Sequence, residues 1–168
     1  CNFKCRMCGP MLSSAWETEA RKQGKIEPWM EKPVKRRIEQ FQKDTVEQEF
    51  SNAVEEHRIE EVYWVGGEPL MYDIHWRAMN RLAEDNNLNK VHLRYNSNLS
   101  RVRYGKHYLY DWLPQAKDWT MCASIDGIGQ IGEFIRTGLD WQEWDQNFRE
   151  GVALPGGNEK MLMDLTLT

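Results

Sequence analysis

Three cysteines stand within the first eight residues, in "CNFKCRMC". Cys1, Cys5 and Cys8 are spaced C-x3-C-x2-C, which sets three thiols on one short loop. Fe–S clusters are held by cysteine thiolates, normally four for a cubane of four irons, so three ligands leave one iron open. An open position is what separates catalytic from structural metal sites. Zinc competes, because C-x2-C spacing also suits a tetrahedral zinc clip. A structural zinc needs a fourth ligand, and its candidates His57, His75, His92 and His107 stand isolated along the chain without paired spacing. Thiols this crowded offer no fold-spanning disulfide. The spacing alone therefore leaves cluster and zinc open, with the cluster ahead. The fourth cysteine, Cys122 in "WTMCASID", reads as a small buried hydrophobe.

A second motif lies about 60 residues downstream. "VYWVGGEPLM" ends an apolar run with Gly66, Gly67, Glu68 and Pro69. Glycines let a ligand approach the backbone closely. A strand-end amide and a carboxylate can bind an ammonium group through charge-assisted hydrogen bonds. In isolation "GGEP" reads as a plain βα turn; downstream of the cysteine loop it gains meaning as part of a constellation.

The elements that must hold these residues follow from periodicity. Residues 34–56 put Val34, Ile38, Phe41, Phe50, Ala53 and Val54 near one helical face, with Pro33 in the first turn. Strands are predicted at 59–65, 90–95, 119–125 and 160–168. Helices are predicted from Asp73 and Asp140 as caps, and a short one near Pro114. Residues 13–33 read as an extended polar surface insertion with a short helix. Strands alternating with helices at roughly 30–40 residues predict a parallel sheet covered by helices. In such folds chemistry gathers at the carboxyl ends of the strands. Those ends carry Gly66 to Pro69, then Asn96, Ser97 and Asn98, then Ser124, Asp126 and Gly127. The cysteine loop joins the same rim if a strand precedes it.

Length and charge bound the alternatives. A chain of 168 residues fits one domain with a real core. The formal net charge of −4 is a poor footprint for nucleic-acid binding. No apolar run approaches the ~20 residues that span a bilayer, so no membrane role is expected. Clustered cysteines in an otherwise ordinary globular sequence point to metal or redox chemistry in a reducing, cytoplasmic compartment. The start at Cys1 and the stop inside "MLMDLTLT" read as a piece of a longer protein.

Taken together, "CNFKCRMC", "GGEP", "SIDG" and "FIRTGLDW" resemble the radical S-adenosylmethionine (SAM) enzymes, in the branch with a SPASM or twitch extension. The resemblance covers nearly the whole chain. It implies a partial TIM-like (β/α)6 barrel, an α/β fold of parallel strands and outer helices, whose first and distal strands lie outside residues 1–168. The C-terminal extension is likewise expected outside them. It implies a 4Fe–4S cluster on Cys1, Cys5 and Cys8, with the open iron taking the amino and carboxylate groups of SAM. Gly66, Gly67 and Glu68, followed by Pro69, would position the SAM amino group. Ser124 would bond the ribose or carboxylate with Asp126 close by, and Arg136 would meet the carboxylate. Asn96 and Asn98 would line the ribose or substrate side, and Met7 would rest against adenine. The implied reaction is reductive cleavage of SAM to a 5′-deoxyadenosyl radical that takes a hydrogen atom from a peptide or small-molecule substrate. It needs a low-potential electron donor of the flavodoxin or ferredoxin type. The competing reading is a non-catalytic zinc- or iron–sulfur-binding module.

Overall fold

A computed structural model of the chain describes residues 1–165. It opens with a two-residue strand, β1 (Lys4–Cys5), and helix α1 (Ser14–Lys22). The Ser13 side chain accepts from the Trp16 N–H and caps α1. Residues 13–33 are thus more ordered than an extended insertion, and Met30 in a short 3-10 turn is fully buried.

Helices α2 (Lys32–Phe41) and α3 (Glu47–Glu55) are joined by one π turn, Gln42–Val46. The single amphipathic helix expected over 34–56 is therefore offset at its middle by wider i→i+5 bonding. Its second half buries Val54 and packs Phe50 on the core. Its first half leaves Ile38 and Phe41 more than half exposed.

The central sheet then forms in chain order: β2 (Glu61–Trp64), α4 (Asp73–Glu84), β3 (His92–Ser97), a small hairpin of β4 (Arg103–Tyr104) and β5 (His107–Tyr108), α5 (Leu109–Trp112), and β6 (Asp118–Ile125). After β6 come α6 (Gly129–Ile135), β7 (Arg136–Thr137), α7 (Trp141–Val152), α8 (Gly157–Lys160) and β8 (Met161–Leu165). Asp140 caps α7 by accepting from the Gln142 and Glu143 N–H groups. Asp73, expected as a cap, is instead the first helical residue of α4 and accepts from the Tyr104 hydroxyl at 2.6 Å. The helix expected near Pro114 is a hairpin, one helical turn and a 3-10 turn that contains the proline.

β2, β3, β6 and β8 lie side by side in that order, all parallel. The alternation expected of a strand with one covered face is clear in β6, where Trp119, Met121, Ala123 and Ile125 are buried and the residues between them are half-buried. Leu93 pairs with Trp119 and Tyr95 with Met121, so one face of the sheet is continuous apolar surface. Trp76, Met79 and Leu82 of α4 and Trp144 of α7 belong to the core formed there. The opposite face carries Tyr63, Arg94 and Thr120 in register, then Asn96, Cys122 and Leu162. Cys122 therefore lies half-buried on the less covered face, not in the core as its apolar surroundings suggested.

Candidate functional site

The cysteine loop is fastened at both ends. Ser14 donates from its backbone and its hydroxyl to the Cys1 carbonyl, and the buried Ser13 hydroxyl donates to the Phe3 carbonyl. The Trp16 indole N–H reaches the Cys5 carbonyl at 2.9 Å. The Cys8 N–H closes a tight turn onto the Cys5 carbonyl at 3.1 Å. β1 pairs antiparallel with β7, setting Cys5 opposite Arg136. Arg6 extends that pairing: its N–H donates to the Ile135 carbonyl, and its guanidinium lies 3.7 Å from the Phe134 ring centre. All three thiols are free. Burial pushes the Cys5 thiol up, and the positive Arg136 beside it opposes that shift.

The strand ends meet this loop directly. Gly66 and Gly67 both have positive φ, a conformation that glycine adopts without steric cost. A Cβ on Gly67 would sit 3.1 Å from the Cys1 nitrogen, so the "GG" turn also provides clearance for the loop. Glu68 follows, only 1% exposed. One of its carboxylate oxygens accepts from the Leu70 N–H at 3.1 Å and the Ser97 hydroxyl at 2.8 Å; the other accepts from the Asn98 N–H at 2.6 Å. Burial raises the Glu68 pKa, and these three bonds pull it back down. Pro69 is buried behind it at the start of a 3-10 turn.

Asn98 connects that carboxylate to the cysteines. Its amide donates to the Asn2 side-chain oxygen at 2.8 Å and lies 3.8 Å from the Cys1 sulfur. Asn2 in turn donates to the Ser100 hydroxyl at 3.0 Å. Beyond β6, Asp126 and Arg136 form a buried bidentate pair at 2.6 and 2.8 Å. The guanidinium thus has two of its nitrogens committed to Asp126 while its charge acts on Cys5 and Cys8. Ser124 is half-buried at the end of β6, opposite Asp164 in register. Asn96 lies within β3 in register with Cys122, on the face opposite Ser97. Met7 is 43% exposed.

Sequence reasoning named the cysteines, the Gly–Gly–Glu–Pro turn, Asn98, Asp126 and Arg136, and these meet on one rim; that Asp126 and Arg136 pair with each other was not foreseen. It placed Ser97 on the rim without a role, and it missed Asn2, Ser13 and Trp16, which help fasten the rim together. A cavity of about 350 Å³ between α3 and α4, walled by Phe50, Trp64 and Ile74, lies apart from this constellation.

Among the described residues, no three of His, Cys, Asp and Glu are gathered tightly enough to hold a metal ion as they stand. The donor set nevertheless suits a soft metal centre: three free thiols on one eight-residue loop, beside a guanidinium and an amide donor. The histidines are engaged elsewhere. His57 bonds Asn87, and His75 lies in the core against Tyr95. His92 stands between Glu61 and Asp118 at the amino end of the sheet, and His107 packs on Trp112. No family model, curated protein or solved structure matches the chain. Among the described residues, no helix is long and apolar enough to cross a membrane.

Proposed function

We propose that this chain is the core of a radical SAM enzyme of the SPASM or twitch branch, acting in the cytoplasm on a peptide or small-molecule substrate. The observation that carries the reading is the docking of the cysteine loop against the carboxyl ends of β2, β3 and β6, through Gly67, Asn98 and the Asp126–Arg136 pair. Chemistry in α/β sheets gathers at that edge. The in-order sheet β2-β3-β6-β8 also supports a partial TIM-like (β/α)6 barrel, because right-handed crossovers that always step the same way put every helix on one face.

In this reading the Cys1, Cys5 and Cys8 thiolates would hold a 4Fe–4S cluster and leave one coordination position open for SAM. When bound, the cluster supplies the electron for reductive cleavage of SAM, which drives hydrogen-atom abstraction from the substrate. The chain's own residues bind and orient. Gly66 and Gly67 keep the rim free of side chains where the loop and ligand meet. Glu68 has acceptor capacity left on the oxygen that takes the Asn98 N–H, enough to receive the SAM ammonium. Arg136, steadied by Asp126, presents positive charge to the thiolates and to a ligand carboxylate. Ser124 and Asn96 serve the ribose side and Met7 the adenine. A flavodoxin- or ferredoxin-type donor supplies the electron. The engagement of all four histidines away from the loop supports an open site over a four-ligand zinc clip.

Anaerobic reconstitution with iron and sulfide, followed by absorption spectroscopy, iron analysis and SAM calorimetry, tests the proposal. The expected result is a brown protein with about four irons per chain that binds SAM. Cys5→Ala should lose the iron while the sheet stays folded, because the ligands sit on a rim loop. A colourless, zinc-loaded protein that binds no SAM would overturn the reading in favour of a non-catalytic module.

A further inference from the structure

We infer that Asn98 is a positioning residue that tunes the proposed cluster through a hydrogen bond from its side-chain amide to the Cys1 sulfur. The inference rests on the reading above. It goes beyond that reading by giving this amide a redox role instead of a place along the ribose or substrate.

The orientation of the amide is fixed by its neighbours. Its oxygen accepts the Ser100 backbone N–H at 3.0 Å, so the nitrogen must be the atom that faces Asn2 and Cys1. Asn2 is fixed in the same way, since its own nitrogen donates to the Ser100 hydroxyl. Ser100, Asn98 and Asn2 therefore close a small ring of hydrogen bonds with one amide hydrogen left for the sulfur, 3.8 Å from the nitrogen. The backbone makes room for this. Leu99 takes φ +50° with its side chain fully buried, a rarely adopted conformation for a residue with a branched side chain. Its N–H is held by the Ser97 hydroxyl and its carbonyl by the Asn147 amide. That turn holds Asn98 over Cys1 while the Asn98 N–H stays on Glu68.

A donor to a ligating sulfur withdraws negative charge from a cluster and favours its reduced form. Removing the donor therefore makes the cluster harder to reduce. It leaves the backbone bond to Glu68, and with it SAM affinity, in place. A residue that merely held the loop together would change iron uptake and leave the potential alone.

The experiment is an EPR-monitored redox titration of the anaerobically reconstituted protein beside Asn98→Leu and Asn98→Ser. Serine keeps an acceptor near the Ser100 N–H but is too short to reach the sulfur, which guards against a loop that fails to form. The expected result is full iron, SAM affinity within about threefold, and at least a tenfold shift toward the oxidised cluster at fixed potential, or about 59 mV more negative for one electron. An unchanged potential in an iron-replete variant overturns the inference and leaves the cluster reading standing. Failure of both variants to take up iron also overturns it, because Asn98 is then structural. A wild-type protein that takes up no iron overturns the inference and the reading together.

Discussion

Glu68 shows what one buried carboxylate does in this rim. It joins a backbone N–H of its own turn to a hydroxyl and an N–H of β3 and its exit, so it ties two neighbouring strand ends together. Glu68→Gln replaces one acceptor oxygen with a donor and leaves a buried N–H unpaired. The expected cost is about 1–3 kcal/mol of stability by urea denaturation, with SAM affinity weakened by about 1.5–3 kcal/mol. Unchanged SAM affinity by calorimetry would confine Glu68 to packing. His75 contributes to the pH dependence of stability. It is walled by Trp64, Trp76 and Tyr95, and burial pushes its pKa down to about 3. The unfolded chain binds this proton near pH 6.5 and the folded chain only near 3, so stability falls as pH drops through that window. The expected loss is about 4–5 kcal/mol. His75→Gln should remove that slope from a set of chemical denaturations between pH 7 and 4; an unaltered slope would show that another group causes it. At this scale the cysteines and the Gly–Gly–Glu–Pro turn were legible, because their chemistry is contained in a few adjacent residues. The role of Asn2 was not, since it arises only when the loop meets the exit of β3 almost a hundred positions away; Ser97 could be placed on the rim, but its bond to Glu68 could not be read from the sequence.

The elements were legible where one face is covered and the ends carry their own signals. α7 begins at its Asp140 cap, and β6 alternates along its whole length. The 34–56 segment misled because an apolar stripe implies a partner. Here α3 has one, α4, while Ile38 and Phe41 of α2 remain exposed. The π turn between the two halves leaves no signature in a 3.6-residue period. Glycines give a sharper test of packing between elements. A Cβ on Gly132 of α6 would fall 2.2 Å from the Gly127 carbonyl, so helix and strand exit are in backbone contact just after Asp126. Gly132→Ala should cost about 1–3 kcal/mol or more and disturb the Asp126–Arg136 pair. A Cβ on Gly151 of α7 would first meet the Met161 thioether at 2.6 Å, the end of a flexible side chain that can give way, and then the Tyr110 hydroxyl at 3.1 Å. Gly151→Ala should therefore cost less, and thermal melts that reverse the order would contradict this packing.

For the molecule as a whole, sheet class was legible from the alternation of strands and helices, and strand order was not, because order depends on which way each crossover steps. β2 and β8 are the edges of the four-stranded sheet, and Leu162 and Met163 on β8 are about half exposed. Open edges of this kind template further pairing. Residues 1–168 on their own should associate with rising concentration in sedimentation velocity, and Leu162→Lys with Met163→Glu should reduce it. A monomer at all concentrations would mean that the edges are protected. The pairing of β1 with β7 has a consequence in time. Arg6 and the Phe134 carbonyl that it grips are 128 positions apart. At about 5–20 residues per second, the ribosome releases the cysteines roughly 6–25 s before it makes their partner. For that interval the thiols of a nascent chain stand without Arg136, and they acquire their seat only when β6 and β7 have been made.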